Sequence, residues 1–244
     1  MIEFDFQKLV DDIASKGEGR CSPIFNVSIF EKDIILSNEE QSKLKAFISV
    51  QIDEHLQDKS DTNFTGDVKG MGAIHNEPAF HTIVLNIEQA VRDYLNSFSK
   101  MVDKLQVYHQ KSWPVILKSN GKVDGHSHTN AHLSAVYYLN VPKAHGGDLV
   151  FFSPIELNLP SNSSGVDFLR PQTYMHVIKP YNGLLVVFPS ALRHEVTKYE
   201  GDEPRLSLSF DFVLTASEEV GSGKIENLAP SIKTWKPFTK QNNG

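Results

Sequence analysis

The sequence lacks the features that mark a secreted or membrane-spanning protein. Its single cysteine, Cys21, excludes an internal disulfide and any zinc or iron–sulfur site built from several cysteines. No stretch approaches the ~20 consecutive apolar residues that a helix needs to cross a bilayer. The first ten residues have neither the basic region nor the apolar region of a signal peptide. We therefore expect a soluble, cytoplasmic protein with no membrane partner.

Basic residues are also scarce. The chain has 24 Lys and Arg against 30 Asp and Glu, a net charge of −6 with neutral histidines, and no run of basic residues. This balance argues against a nucleic-acid partner. With 244 residues, of which 40% are hydrophobic, the chain is long enough to bury a core in one large domain or in a domain with an extension.

The first part of the chain carries helical patterns. Ser37 and Glu40 have the spacing of a capping box, and apolar residues follow at helical intervals, which predicts a helix over 38–58. The same periodicity predicts a second helix over 86–104. Further expectations are a short helix over 2–15, a strand within 24–36 and a loop over 60–80.

From about Val107 the pattern changes to short strands separated by polar turns, which is typical of a sandwich or a jelly roll. We therefore predict a mainly β fold with flanking helices (α+β). The units would be an N-terminal helical or mixed extension over 1–105, a core over 106–215 and a tail over 216–244. Within the core, 153–172 is a candidate lid. The predicted strands are 112–119, 132–141, 148–152, 173–179, 183–188, 193–199 and 205–214.

Ten histidines are present, and two of them form the pair His126-Ser127-His128, which follows a polar stretch predicted as a loop. Residues at i and i+2 of an extended chain project to the same side, so both imidazoles can reach one metal ion at ~2.1 Å. An H-x-H pair alone is a weak signal, and the competing interpretation is two ordinary polar residues of a loop.

Later residues strengthen the metal interpretation. His194 follows a buried strand and a turn, and a histidine there can return to the same mouth of a barrel. Arg205 and Ser207 share one face of the next strand by alternation, and a guanidinium beside a hydroxyl suits a carboxylate. The competing interpretation of Arg205 is a surface residue in a salt bridge.

In this order and spacing the residues resemble the Fe(II)/2-oxoglutarate-dependent oxygenases, whose fold is a double-stranded β-helix, a cupin-like jelly roll. The family motif is H-x-(D/E), a distal His, and an Arg about ten residues further on, often as R-x-S. More narrowly, the chain resembles bacterial and phage oxygenases with an H-x-H motif. The matching segments span roughly 105–215 and are His126–His128, Leu133–Tyr138, Gly147–Pro154, Phe188–His194 and Arg205–Ser207.

The resemblance implies that Fe(II) is held by His126, His128 and His194. His128 departs from the family, because most members have a carboxylate there. Two alternatives stay open: Asp124 supplies the missing carboxylate, or His128 leaves a position that a halide fills, as in halogenase relatives.

The resemblance also implies 2-oxoglutarate as co-substrate, with Arg205, Ser207 and Tyr138 binding it, and an oxygenase that hydroxylates its substrate and releases succinate and CO₂. The expected substrate is a small molecule or a peptide side chain. Other hypotheses are a metal-binding cupin (dioxygenase or isomerase) that does not use 2-oxoglutarate, and a non-catalytic jelly-roll binding module. Trp113 is interpreted as core rather than as a substrate platform. The N-terminal helices either buttress the sheet or form a homodimer interface.

Overall fold

A computed structural model of the chain describes residues 27–55, 66–68, 70–98, 104–154, 174–218 and 229–236. The predicted helix over 2–15 and most of the predicted lid over 153–172 lie outside these ranges. The helices are α1 (Asn38–His55) and α2 (His81–Asn96). The strands are β1 (Phe30–Asp33), β2 (Gly66–Asp67), β3 (Leu105–Leu117), β4 (Val123–His126), β5 (Leu133–Asn140), β6 (Leu149–Phe152), β7 (Met175–Ile178), β8 (Leu184–Pro189), β9 (His194–Val196) and β10 (Arg205–Ala216).

The strands form two antiparallel sheets. The large sheet has the order β1-β8-β5-β10-β3-β2 and the small sheet the order β4-β9-β6-β7. The eight strands β3 to β10 divide equally between the two sheets, as in a jelly roll. The predicted mainly β fold with a jelly-roll core and flanking helices is therefore confirmed.

Two apolar cores follow from the alternation of side chains along the strands. On β8, Leu185 and Val187 face the helices, whereas Val186 and Phe188 face the small sheet. The first core joins the large sheet to α1 and α2, and the second fills the space between the two sheets. The large sheet therefore has no solvated face at its centre, which explains the continuous apolar run of β8.

The start of α1 is as predicted. The backbone N–H of Glu40 donates to Ser37 Oγ at 3.2 Å, and that of Ser37 donates to the Glu40 carboxylate at 2.9 Å, so both halves of the capping box are present. Leu44 and Ile48 are buried and pack α1 against the large sheet. None of the helices in the ranges above is long and apolar enough to cross a membrane.

Two predictions in the first half of the chain need correction. The second helix runs from His81 to Asn96 rather than over 86–104, and Leu105 begins a strand. The segment predicted as a loop over 60–80 contains β2 and two 3₁₀ turns, and it buries Ile74 and Phe80 completely or nearly so. The composition of this segment, rich in Gly and Asn, gives no sign that Ile74 and Phe80 are buried, because single buried residues in turns produce no hydrophobic periodicity.

The predicted boundary near 105 falls at the first residue of β3, although the division into units stays a prediction. Strands β1 and β2, from before that boundary, pair with β8 and β3 and form the two edges of the large sheet. In the predicted tail, β10 continues to Ala216 and a short 3₁₀ turn forms at Ile232–Thr234.

Candidate active site

The two histidine-bearing segments lie side by side at one edge of the small sheet. Strands β4 and β9 are antiparallel, and their register places His126 directly opposite His194. His128 follows β4 by two residues, and its backbone N–H donates to Ser190 O at 2.9 Å. The segment 123–126 is predicted as part of a polar loop; pairing with β9 makes it a strand.

The three histidines converge on one point. One ring nitrogen from each lies within 4.8 Å of the others, a spacing that could hold a metal ion. The ring centroids are 4.4 Å apart for His126 and His194, 5.2 Å for His126 and His128, and 5.3 Å for His128 and His194. His194 is buried, His128 half-buried and His126 exposed, so the cluster is open on the side of β4.

Hydrogen bonds orient all three rings in the same sense. Nδ1 of His126 is 2.8 Å from Asp124 O, and Nδ1 of His194 is 2.8 Å from Leu192 O. A carbonyl oxygen can only accept, so both Nδ1 atoms carry the proton and both Nε2 atoms keep a lone pair. Nδ1 of His128 lies 2.7 Å from the carboxylate of Asp211. Metal-binding histidines in proteins are oriented by such outer hydrogen bonds.

Burial keeps His194 neutral. Desolvation, reinforced by the nearby rings of His126 and His128, lowers the pKa of His194 from 6.5 to about 4, against the opposing effect of its bond to Leu192. At neutral pH this imidazole is therefore uncharged, which is the form that binds a metal ion.

Arg205 occupies the other end of the site. It is only 2% exposed, and its Nη1 donates to Gly147 O, while its buried Nε has no hydrogen-bond partner in the part of the chain that the structure describes. Its Cζ lies 5.2 Å from the ring centroid of Tyr138, another buried residue. Among the described residues, no carboxylate forms an ion pair with this guanidinium. A buried cation without a counter-ion is costly, so the site is suited to an anion.

One cavity of about 280 Å³ connects the two ends, and Asp124 and Trp113 also line it. Ser207 and Ser209 face the cavity, as the alternation along β10 predicts, while Leu208 and Phe212 face the helices. A cavity of about 570 Å³ beside α2 is larger, but none of the predicted site residues lines it. The cavity is lined by the predicted set: His126, His128, His194, Tyr138, Arg205 and Ser207.

Asp124 lies at the rim rather than in the cluster. Its side chain is 84% exposed and pairs with Lys122 at 2.7 Å, and this pairing lowers the pKa of the carboxyl group. Its backbone carbonyl, not its carboxylate, contacts His126. Trp113 is buried, as predicted for a core residue, and its ring centroid lies 6.0 Å from that of His128.

Several supporting residues are not singled out by the sequence patterns. Asp211 continues the inward row of Arg205, Ser207 and Ser209 at the same two-residue interval, so alternation alone could have located it. In the sequence, Gly147 is recognisable only as the first residue of the matching segment Gly147–Pro154. In the structure its φ of +73° favours glycine, and an added Cβ would lie 3.3 Å from Arg205 Nη1. Asp67, which accepts from Trp113 Nε1 at 2.6 Å, gives no signal in the sequence.

One known family has a model that matches the part of the chain in which these site residues lie. Residues 111–211 match the model of the family described as "Putative 2OG-Fe(II) oxygenase". The resemblance found in the sequence is therefore confirmed over this segment. A search of curated proteins gives no match to the chain.

Two solved structures with a TM-score of 0.50 share the fold. A prolyl-4-hydroxylase from Pseudomonas putida is 20% identical with a TM-score of 0.50, and the match covers 84% of this chain and 97% of that one. EctD from S. alaskensis, whose structure contains 2-oxoglutarate and 5-hydroxyectoine, is 16% identical with a TM-score of 0.50 and coverages of 77% and 72%. A 2OG-Fe(II) oxygenase-family oxidoreductase from Burkholderia pseudomallei is 20% identical with a TM-score of 0.40, and the match covers 57% of this chain and 59% of that one.

Proposed function

We propose that this protein is an Fe(II)- and 2-oxoglutarate-dependent oxygenase that hydroxylates its substrate. The observation that carries the proposal is a single cavity with two complementary ends. One end presents three imidazoles directed at one point, and the other presents a buried guanidinium without a carboxylate partner among the described residues.

The residues fit both groups. His126, His128 and His194 would hold the iron through Nε2, because Nδ1 of each ring is already engaged. Arg205 would bind the distal carboxylate of 2-oxoglutarate, with Ser207 on the same face of β10 and Tyr138 beside it. Burial raises the pKa of Tyr138 to about 12, so its hydroxyl stays protonated and can donate to a carboxylate.

Charge supports this pairing of groups. Three neutral imidazoles contribute no charge, so the double charge of Fe(II) needs an anionic ligand. The 2-oxoglutarate dianion provides that charge, with one carboxylate near the metal and the other near Arg205. Asp124 is poorly placed to do so, since its carboxylate is exposed and paired with Lys122.

Bound iron and 2-oxoglutarate supply the oxidising power: dioxygen, 2-oxoglutarate and a C–H group become succinate, CO₂ and a hydroxylated product. The protein orients the reactants and limits access of water. Phe188, Leu149 and Val196 line the cavity between its polar ends and provide an apolar wall. The cavity opens beside the exposed His126, and a small molecule or a peptide side chain is the substrate we propose to enter there.

The test measures succinate formation from 2-oxoglutarate with Fe(II), ascorbate and purified protein, together with 2-oxoglutarate affinity. Arg205→Ala should weaken 2-oxoglutarate binding about tenfold to a hundredfold, because charge-assisted hydrogen bonds are lost. Arg92→Ala is the matched control, since Arg92 is an exposed arginine of α2 paired with Glu88. Equal 2-oxoglutarate affinity in Arg205→Ala and wild type would contradict the assignment.

The same protein preparations separate the competing functions. A cupin that does not use 2-oxoglutarate would bind metal through the histidines, but would neither bind 2-oxoglutarate nor release succinate. A non-catalytic module would show equal metal content in wild type, His126→Ala and His194→Ala. The proposed oxygenase requires metal that is lost in both histidine variants and 2-oxoglutarate binding that depends on Arg205.

A further inference from the structure

A buried carboxylate lies directly behind the metal-facing ring of His128. Asp211 is 4% exposed, and its Oδ1 lies 2.7 Å from His128 Nδ1. Ser134 Oγ donates to the same oxygen at 2.7 Å, and Ser190 Oγ lies 2.8 Å from Ser134 Oγ. Both serines are buried. The carboxylate is therefore held in place by hydrogen bonds from two sides, away from solvent.

No lysine or arginine among the described residues forms an ion pair with Asp211. Its cross-strand neighbour Lys111 forms an ion pair with Asp67 instead, at 3.3 Å. Burying a carboxylate is costly unless a positive charge compensates it. Among the described residues, the only ionisable group that forms a hydrogen bond or ion pair with Asp211 is the imidazole of His128, and this bond leaves Nε2 of the ring free to bind a metal ion.

His128 differs in this respect from the other two histidines. Nδ1 of His126 and of His194 meets a backbone carbonyl, whereas Nδ1 of His128 meets a carboxylate. His128 is also the residue at which this chain departs from the H-x-(D/E) motif. His128, the histidine at the position where most of the family has a ligating carboxylate, is thus the histidine whose ring is hydrogen-bonded to the carboxylate of Asp211.

We propose that Asp211 is a positioning residue for the metal, which fixes the orientation of His128 and supplies through it the negative charge that a carboxylate ligand would supply directly. This inference rests on the proposed function. A carboxylate that accepts from Nδ1–H makes Nε2 a better donor to a cation, and loss of such an outer partner typically lowers metal affinity tenfold to a hundredfold.

The first test measures Co(II) affinity of the metal-free protein by chelator competition without oxygen. Asp211→Asn keeps the shape of the side chain, removes its charge, and should weaken Co(II) binding about tenfold to a hundredfold. Asp93→Asn is the control, because it changes net charge equally at a lysine-paired aspartate on α2. Its Co(II) affinity should equal that of wild type.

A second measurement separates positioning from damage to the fold. In Co(II)-saturated Asp211→Asn, affinity for 2-oxoglutarate should stay equal or increase, since a negative charge near an anionic ligand has been removed. General distortion would weaken both ligands together. Equal Co(II) affinity in Asp211→Asn and wild type, or a parallel loss of both affinities, overturns the inference.

Nitrogen NMR of the wild-type protein needs no variant that might misfold. At a pH where His128 is neutral, its ring should be the tautomer protonated on Nδ1; protonation on Nε2 instead would overturn the inference. Failure of the proposed function has a different signature, because wild-type protein would then either bind no Co(II) at the three histidines or bind Co(II) but no 2-oxoglutarate, whatever the state of Asp211.

Discussion

The burial of His194 makes the stability of the metal-free protein depend on pH. Desolvation lowers the pKa of this imidazole from 6.5 to about 4 in the folded state, whereas the unfolded chain keeps the ordinary value. Above about pH 6.5 the ring is neutral in both states and contributes no pH dependence. As the pH falls below that value, His194 becomes protonated in the unfolded state but stays neutral in the folded state, so the free energy of unfolding decreases. This decrease in the free energy of unfolding is complete near pH 4.

A shift of this size corresponds to about 3 kcal/mol, since each pKa unit is worth about 1.4 kcal/mol. The side chain is 5% exposed, so solvent screening reduces the effect little. Typical domains have a stability of about 5–15 kcal/mol, and the effect is therefore measurable.

The assay is urea unfolding of the protein in excess chelator at several pH values between 7 and 4. His194→Asn is the informative variant, because an asparagine amide can replace Nδ1 as the donor to Leu192 O without titrating. Its loss of stability between pH 7 and pH 4 should be about 3 kcal/mol smaller than that of wild type. His81→Asn, at an exposed histidine, should retain the wild-type loss. Equal losses in wild type and His194→Asn would refute the reasoning.

Two further predictions concern local structure. Gly147→Ala should lower the free energy of unfolding by about 1–2 kcal/mol because φ at this position is +73°, and it should weaken 2-oxoglutarate binding because the new Cβ would crowd Arg205. Gly72→Ala, with open space around it, is the control, and equal unfolding free energies for the two variants would contradict the prediction. Ser37→Ala should cost about 1 kcal/mol by removing the cap of α1, measured by urea unfolding, and an unchanged midpoint would count against the cap.

The core strands are predictable because runs rich in apolar, β-branched and aromatic residues are bounded by turn residues in the sequence. Strand β5 is expected over 132–141 and forms over Leu133–Asn140, and β10 is expected over 205–214 and forms over Arg205–Ala216. Both pair along most of their length with other strands of the large sheet, so local pattern and tertiary environment agree.

The beginning of β3 is not predictable in the same way. Leu105 lies at helical spacing from the apolar residues before it, and nothing local contradicts a helix that continues through it. Pairing of Leu105 with Ala216 and of Val107 with Leu214 makes the segment a strand. These partners lie over a hundred residues away, so the decision belongs to tertiary structure and overrides local periodicity.

The site shows the same division between local and distant information. The i and i+2 spacing of His126 and His128 indicates a metal site from the sequence alone, whereas β4, the strand that leads into them, has the composition of a loop. Its residues Asp124 and Gly125 are poor strand formers, and β4 exists because it pairs with β9. That pairing sets His126 opposite His194, so cross-strand register, not composition, assembles the cluster.

One strand, β10, carries opposite charges at the two ends of its inward face. Arg205 and Asp211 are separated by six residues, or ~20 Å at ~3.3 Å per residue, and only Ser207 and Ser209 lie between them on that face. Neither charge has an oppositely charged lysine, arginine, aspartate or glutamate partner among the described residues. If an anionic group binds at Arg205 and a metal cation binds at His128, each of the two buried charges is compensated. The reverse arrangement would compensate neither charge. A carboxylate therefore lies on a different strand, one hydrogen bond behind the imidazole that occupies the D/E position of the H-x-(D/E) motif.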